Sequence, residues 1–250
     1  MANQDIVFAF GLTGRAKPSA VADSVYGNVR TGRFGEVYVQ SLMGGKMNPA
    51  ADEGTYFHIT NPTPGTGIAG IAAADGFDAA ESLLHIRNGA TAAETTRVYL
   101  DYIRLQATAA GTNGTNYSLA MTLDTGTTRY TSGGSSLTPY STNMQTSGAG
   151  SCTVKCGALV TTAASASVRL LGSFLVRTVI KVIGDSVLIK FGDSATSLSS
   201  HIVAGTAIAN TIINMPPVVL GPTDQFLLHE FAASQTVGAS YEITAGWVER

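Results

Sequence analysis

The strongest constraint on the fold is a succession of short segments in which apolar and polar residues alternate, each closed by turn-forming pairs. Arg97–Gln106 (Arg-Val-Tyr-Leu-Asp-Tyr-Ile-Arg-Leu-Gln) is the clearest of them. Its apolar phase changes between Tyr102 and Ile103, which predicts a β-bulge or packing on both faces. Tyr117–Leu123 alternates well and is expected to pair with it across the Gly111–Asn116 loop. Strand signals of the same kind run through Gly35–Leu42, Thr55–Thr60, Ser82–Arg87, Cys152–Val160, Val168–Ile183, Val187–Phe191, Val218–Leu220, Gln225–Phe231 and Ser240–Glu249. Gly-Asp, Gly-Gly, Ser-Gly and Asn-Pro pairs between them mark loops. Helix signals are thin: Gly70–Ala80 has the alanines, but Gly76 and the lack of an apolar stripe keep any helix short. Many short strands predict an all-β chain folded as a β-sandwich or jelly-roll-like domain.

Two stretches depart from this pattern. Gly11–Val29 mixes Gly, Lys-Pro, Ser and Asp without strand or helix periodicity, which is unusual for a segment inside a compact domain. Residues 1–34 are therefore expected to form an extended N-terminal arm. It either reaches onto a neighbouring subunit, where its backbone groups find partners, or remains a disordered tail. Residues 35–250 are the expected β-sandwich domain. The polar, loop-like Thr131–Gly150 stretch leaves room for two subdomains with a break near 131–151.

Charge narrows the partners. Charged residues are 13% of the chain, about half the usual share. With 44% hydrophobic residues and a net charge of -2, the chain has a folded, neutral composition, unlike that of a disordered one. The 15 basic residues are scattered, so no nucleic acid partner is expected. The apolar run Val176–Ile183 is interrupted by Arg177 and Lys181 and falls short of the roughly 20 residues that cross a bilayer, so no membrane partner is expected. Met1–Asp5 lacks a basic start and Ile6–Phe10 is too short for a signal-peptide core, which predicts synthesis in the cytoplasm.

Several motifs imitate chemical sites. Gly65–Gly70 matches G-x-G-x-x-G, but Asn61-Pro-Thr-Pro64 before it cannot be the central strand that a dinucleotide site requires. Gly184-Asp-Ser186 and Gly192-Asp-Ser194 read as the two ends of one hairpin strand. His58, His85 and His229 sit among apolar strand residues, and with His201 they form no catalytic or metal-binding spacing. Asp75, Asp78 and Glu81 lack the glycine placement of a calcium loop. Cys152 and Cys156 would stand about 13 Å apart on a strand, too far for a disulfide, and read as small buried thiols. Trp247 and Tyr241 read as core or subunit-contact aromatics. No catalytic residue, cofactor or metal ligand is expected.

Val98–Leu105, Arg129–Pro139, Gly221–Glu230 and Gly246–Arg250 resemble structural proteins of tailed bacteriophages. The resemblance implies a virion component made in the bacterial host cytoplasm. Its most specific form is a capsid decoration (cement) protein, with β-sandwich subunits trimerised over the shell against the major capsid protein. A tail, head-fibre or baseplate component that binds a receptor or glycan is the alternative. A hydrolase acting on a cell-surface polymer would need paired carboxylates at matched strand ends, which are not visible. Low charge and many small residues suit close, shape-matched contacts. The candidate shell contacts on the arm are Arg15, Lys17, Tyr26, Arg30 and Arg33, and the candidate homo-oligomer interface residues are Tyr99, Tyr102, Phe226 and Phe231.

Overall fold

A computed structural model describes residues 47–250 apart from 72–75, 146–149, 163, 165, 180, 193–196, 204–207 and the side chains of 47–49 and 197–203. Met47–Arg250 forms one compact unit. The expected arm with Arg15, Lys17, Tyr26, Arg30 and Arg33, and the strand expected at Gly35–Leu42, lie outside the described residues.

A short helix, α1 (Met47–Asp52), precedes β1 (Tyr56–Thr60), β2 (Ile68–Ala69), β3 (Glu81–Asn88), β4 (Val98–Ala109) and β5 (Thr115–Asp124). Next come β6 (Tyr130–Leu137), β7 (Tyr140–Ser141), β8 (Cys152–Thr161), β9 (Arg169–Val179) and β10 (Ser186–Phe191). The chain ends with β11 (Ser197–Val203), β12 (Ile208–Met215), β13 (Val219–Leu220), β14 (Gln225–Ala233) and β15 (Ser240–Glu249). The strands form two sheets. The large sheet runs β11-β12-β10-β4-β15-β1-β7, with β13 added to β4 and β2 to β15. The small sheet runs β6-β8-β3-β14-β5-β9. All pairings are antiparallel except that of β10 with β12.

The sheets pack face to face, so the expected β-sandwich is the fold. Alternation decides what each strand buries. Phe57, Ile59, Ile103, Leu105, Ile189, Ile243 and Trp247 of the large sheet share one core with Leu84, Ile86, Leu119, Met121, Val154, Phe226 and Leu228 of the small one. Each such side chain contributes about 1.5–3 kcal/mol when fully buried. Phe226 and Phe191 meet edge to face across the sandwich, with ring centres 5.7 Å apart. Cys152 and Cys156 are both free and buried, as expected.

The phase break in Arg97–Gln106 is a bulge. Tyr102 pairs with Gly246 and Leu100 with Trp247, which leaves Asp101 as the extra residue. The expected pairing of Tyr117–Leu123 with this strand does not form. β4 lies in the large sheet and β5 in the small one, so 110–114 is an arch between layers. Asn113 and Asn116 take left-handed conformations (φ 53° and 56°) that asparagine tolerates. Alternation reports which face of a strand is apolar, and both strands satisfy theirs by facing the shared core.

Gly184-Asp185 is a second correction of this kind. It is a turn, but β9 belongs to the small sheet and β10 to the large one, so no hairpin is made. The polar Thr131–Gly150 stretch, expected as loop, contains β6, an exposed edge strand beside β8. Edge position explains the weak signal, because Tyr130–Leu137 has little apolar surface to bury. Substitution Phe226→Ala is expected to lower the unfolding free energy by about 3–5 kcal/mol, measured by urea denaturation. A loss below about 1 kcal/mol would contradict its place at the centre of the core.

Candidate interaction surfaces

Inside the sandwich, β14 turns Glu230 toward β15. Its Oε1 accepts the Tyr241 hydroxyl at 2.5 Å, and the Tyr241 and Tyr117 hydroxyls are 3.2 Å apart. Lys181 Nζ sits 4.5 Å from the centre of the Tyr117 ring, and Arg177 pairs with Asp185 beside it. Burial pushes the Glu230 carboxyl up to about 7, partly offset by Tyr241 and Lys181, and pushes the Lys181 ammonium down to about 8. These groups meet beneath the surface and tie the two sheets together, although the buried Glu230 Oε2 has no hydrogen-bond partner among the described residues.

His229 and His85 are held by the fold too, while the side chain of His201 lies outside the described residues. His229 lies 2.7 Å from the Glu81 carbonyl through Nδ1 and 3.0 Å from Thr122 Oγ1 through Nε2, so both nitrogens are committed. His85 uses Nε2 on Gln225 Oε1 at 2.9 Å, while its buried Nδ1 has no partner. Burial lowers the pKa of both rings, which favours their neutral form. Gly65–Gly70 is a loop ending in β2, held by Asn61, whose Nδ2 donates to Thr66 O and Tyr241 O. Among the described residues, no three His, Cys, Asp or Glu side chains converge as a metal site.

The outer faces of the two sheets carry exposed aromatic and aliphatic side chains. On the outer face of the small sheet, β14 aligns Phe231 with Ser118 of β5, which in turn faces Leu175 of β9. Phe77, from the loop before β3, packs edge-on against Phe231 and His229, with ring centres 6.1 and 5.0 Å apart. Leu170 aligns with Thr122 on the same face. Phe77 remains 49% exposed over β14, and Leu175 at 51% and Leu170 at 64% are exposed on the edge strand β9, with Ser173 between them.

The outer face of the large sheet differs. Val219, Tyr99, Val248 and Tyr56 lie in one cross-strand row, and Lys190, Tyr102, Gly246 and His58 in another. The Tyr56 hydroxyl donates to Asp101 Oδ2 at 2.8 Å.

Of the four residues expected at an oligomer interface, Tyr99 is exposed on this face, with Tyr102 half-buried beside it, while Phe231 is half-buried on the opposite face. Phe226 has no exposed surface, because its position in β14 points inward, and it cannot meet another subunit. Trp247 and Tyr241 are both core residues. Sequence reasoning missed Phe77, Leu170, Leu175, Tyr56 and Asp101. The available signals were a lone aromatic in an alanine-rich loop, the Leu170-Leu171 and Phe174-Leu175 doublets, and the phase break at Asp101. No protein-family model matches the chain, and comparisons with curated proteins and with solved structures also find no match.

The buried carboxyl makes a pH prediction. Glu230 holds its proton more tightly folded than unfolded, so its contribution is greatest below about 4.5 and is lost as pH rises through about 7. Relative to the wild type, Glu230→Gln should gain roughly 3 kcal/mol of unfolding free energy across that window, measured by urea titration at stepped pH. A constant difference between the two proteins would contradict a protonated Glu230.

Proposed function

We propose that the chain is a non-enzymatic structural component of a tailed-phage particle, a decoration protein that binds and stabilises the capsid shell as a homotrimer. The observation that carries the assembly reading is the Phe77–Phe231–Leu170–Leu175 surface. In a chain with 13% charged residues, it offers a protein partner several exposed apolar side chains, set among Ser118, Thr122 and Ser173, beside the long edge strand β9. The resemblance of Val98–Leu105, Arg129–Pro139, Gly221–Glu230 and Gly246–Arg250 to tailed-phage structural proteins supplies the phage setting.

The geometry of the surfaces shapes the proposal. Tyr99 and Phe231 lie on opposite outer faces, and two opposed patches of one subunit cannot both line a closed three-fold contact. The trimer contact is assigned to the small-sheet surface, which three copies bring together around a common axis. The arm, with Arg15, Lys17, Tyr26, Arg30 and Arg33, is assigned to the major capsid protein, where docking one part raises the effective concentration of the rest.

Cosedimentation with empty phage heads assembled without this protein tests the reading. The full chain is expected to pellet with the heads. Deletion of residues 2–33 should abolish pelleting, and Leu175→Asp should weaken it at least about tenfold by breaking the trimer that supplies avidity. Pelleting at wild-type levels by both variants, or no pelleting by the full chain, would remove the decoration role.

A further inference from the structure

The outer face of the large sheet carries an arrangement that the assembly reading does not use. The bulge in β4 makes Asp101 the unpaired extra residue between Leu100 and Tyr102, and both Asp101 and Tyr102 are half-buried. Bulges re-aim side chains and are over-represented beside functional sites. Gly246 lies opposite Tyr102. A Cβ there would overlap the Tyr56 hydroxyl and the edge of the Tyr102 ring, so the two tyrosines close over the strand from both sides and need a glycine beneath them. The Tyr56 hydroxyl holds Asp101 Oδ2, and among the described residues no other donor hydrogen-bonds to that carboxylate.

Beside this pair runs an open groove of about 400 Å³, lined by Asp101, Tyr102, Leu188, Lys190, Phe191 and Gly192. Lys190 is exposed and is the cross-strand partner of Tyr102. The groove thus combines a half-exposed aromatic ring, a carboxylate fixed by a hydroxyl, and an exposed ammonium. Its volume lies within the range of about 300–1,000 Å³ typical of small-ligand sites.

Chemistry selects among occupants. An apolar peptide covering the groove would strip water from Asp101 and Lys190 without offering either a partner, which is costly. A nucleic acid base could stack on Tyr102, but its phosphates would meet Asp101 on a chain of net charge -2. A pyranose ring matches all three elements. Its C–H face lies on the tyrosine, one hydroxyl donates to Asp101, and another accepts from Lys190. Shallow, open geometry implies modest affinity per site, which several copies on one particle would multiply.

We propose that the Asp101–Tyr102–Lys190 groove, with Asp101 held by Tyr56, binds an oligosaccharide. The site lies on the face opposite Phe231, so it stays accessible when the small-sheet surface is docked, and it stands whether or not the decoration role holds.

The test titrates the full chain with maltohexaose, cellohexaose, chitohexaose, mannohexaose and a lipopolysaccharide core oligosaccharide, followed by ligand-observed NMR and calorimetry. At least one is expected to bind at about 1 mM or tighter. Tyr102→Ala should weaken that binding about tenfold, with Asp101→Asn and Lys190→Gln each weakening it several-fold at unchanged thermal midpoint. Phe231→Ser, on the other face, should leave it unchanged. Failure of every saccharide to bind, or binding that survives Tyr102→Ala and Lys190→Gln alike, would overturn the assignment. So would a Tyr102→Ala variant that bound no less saccharide but lost oligomer mass, since the face would then be a subunit contact. Neither result depends on phage heads, so failure here leaves the decoration test standing, and the reverse also holds.

Discussion

A sandwich whose chain passes repeatedly between layers must satisfy backbone groups that have left one ladder and not yet joined the next. Buried carboxylates do this here, and the rest of the fold depends on them. Asp185, with no exposed surface, accepts from the Val182 and Ala209 N–H groups and pairs with Arg177, where the chain moves from β9 to β10. Glu249 accepts from the Ser151 and Cys152 N–H groups and from the Trp247 indole, locking the entry of β8 to the end of β15. Asp124 accepts from the Thr125 N–H at the exit of β5 and lies 3.8 Å from Arg129. In so lightly charged a chain, these acidic residues act as internal fasteners, and truncating one strands the donors it holds.

That arrangement explains what could be read from residues and what could not. Strand positions were largely legible, because a period of two is written directly into Thr55–Thr60 and Ser240–Glu249, while Gln225–Phe231 shows the short apolar run of a strand covered on both faces. Even the bulge at Asp101 left its mark as a phase break. Partnership was not legible. The same alternation serves a strand whether its neighbour in sequence lies beside it or across the core, so Tyr117–Leu123 and the Gly184 turn were assigned to hairpins that do not exist. Asp185 looked like a turn residue, and nothing local distinguishes a turn aspartate from one that reaches Arg177 and the Ala209 N–H. Side-chain roles followed the same rule. Phe226 and Phe231 have similar neighbours in sequence, yet one fills the core and the other faces outward.

The two outer faces divide along physical lines. Phe77, Phe231, Leu170 and Leu175 offer apolar area with little hydrogen-bonding capacity, which suits a flat protein contact. Asp101, Tyr102 and Lys190, with Asp101 held by Tyr56, offer a smaller, polar-rimmed groove, which suits a hydroxylated ligand. A particle component that fastens with one face and displays the other would combine the decoration and receptor-binding roles that the phage resemblance left as alternatives.

Self-association is the claim on which the assembly account turns. Light scattering on the purified full-length protein measures it directly. The account predicts one species at about three times the 25.8 kDa chain mass, stable on dilution. A monomer at all concentrations would mean that the small-sheet surface buries nothing against its own copies, and would contradict the trimeric decoration protein.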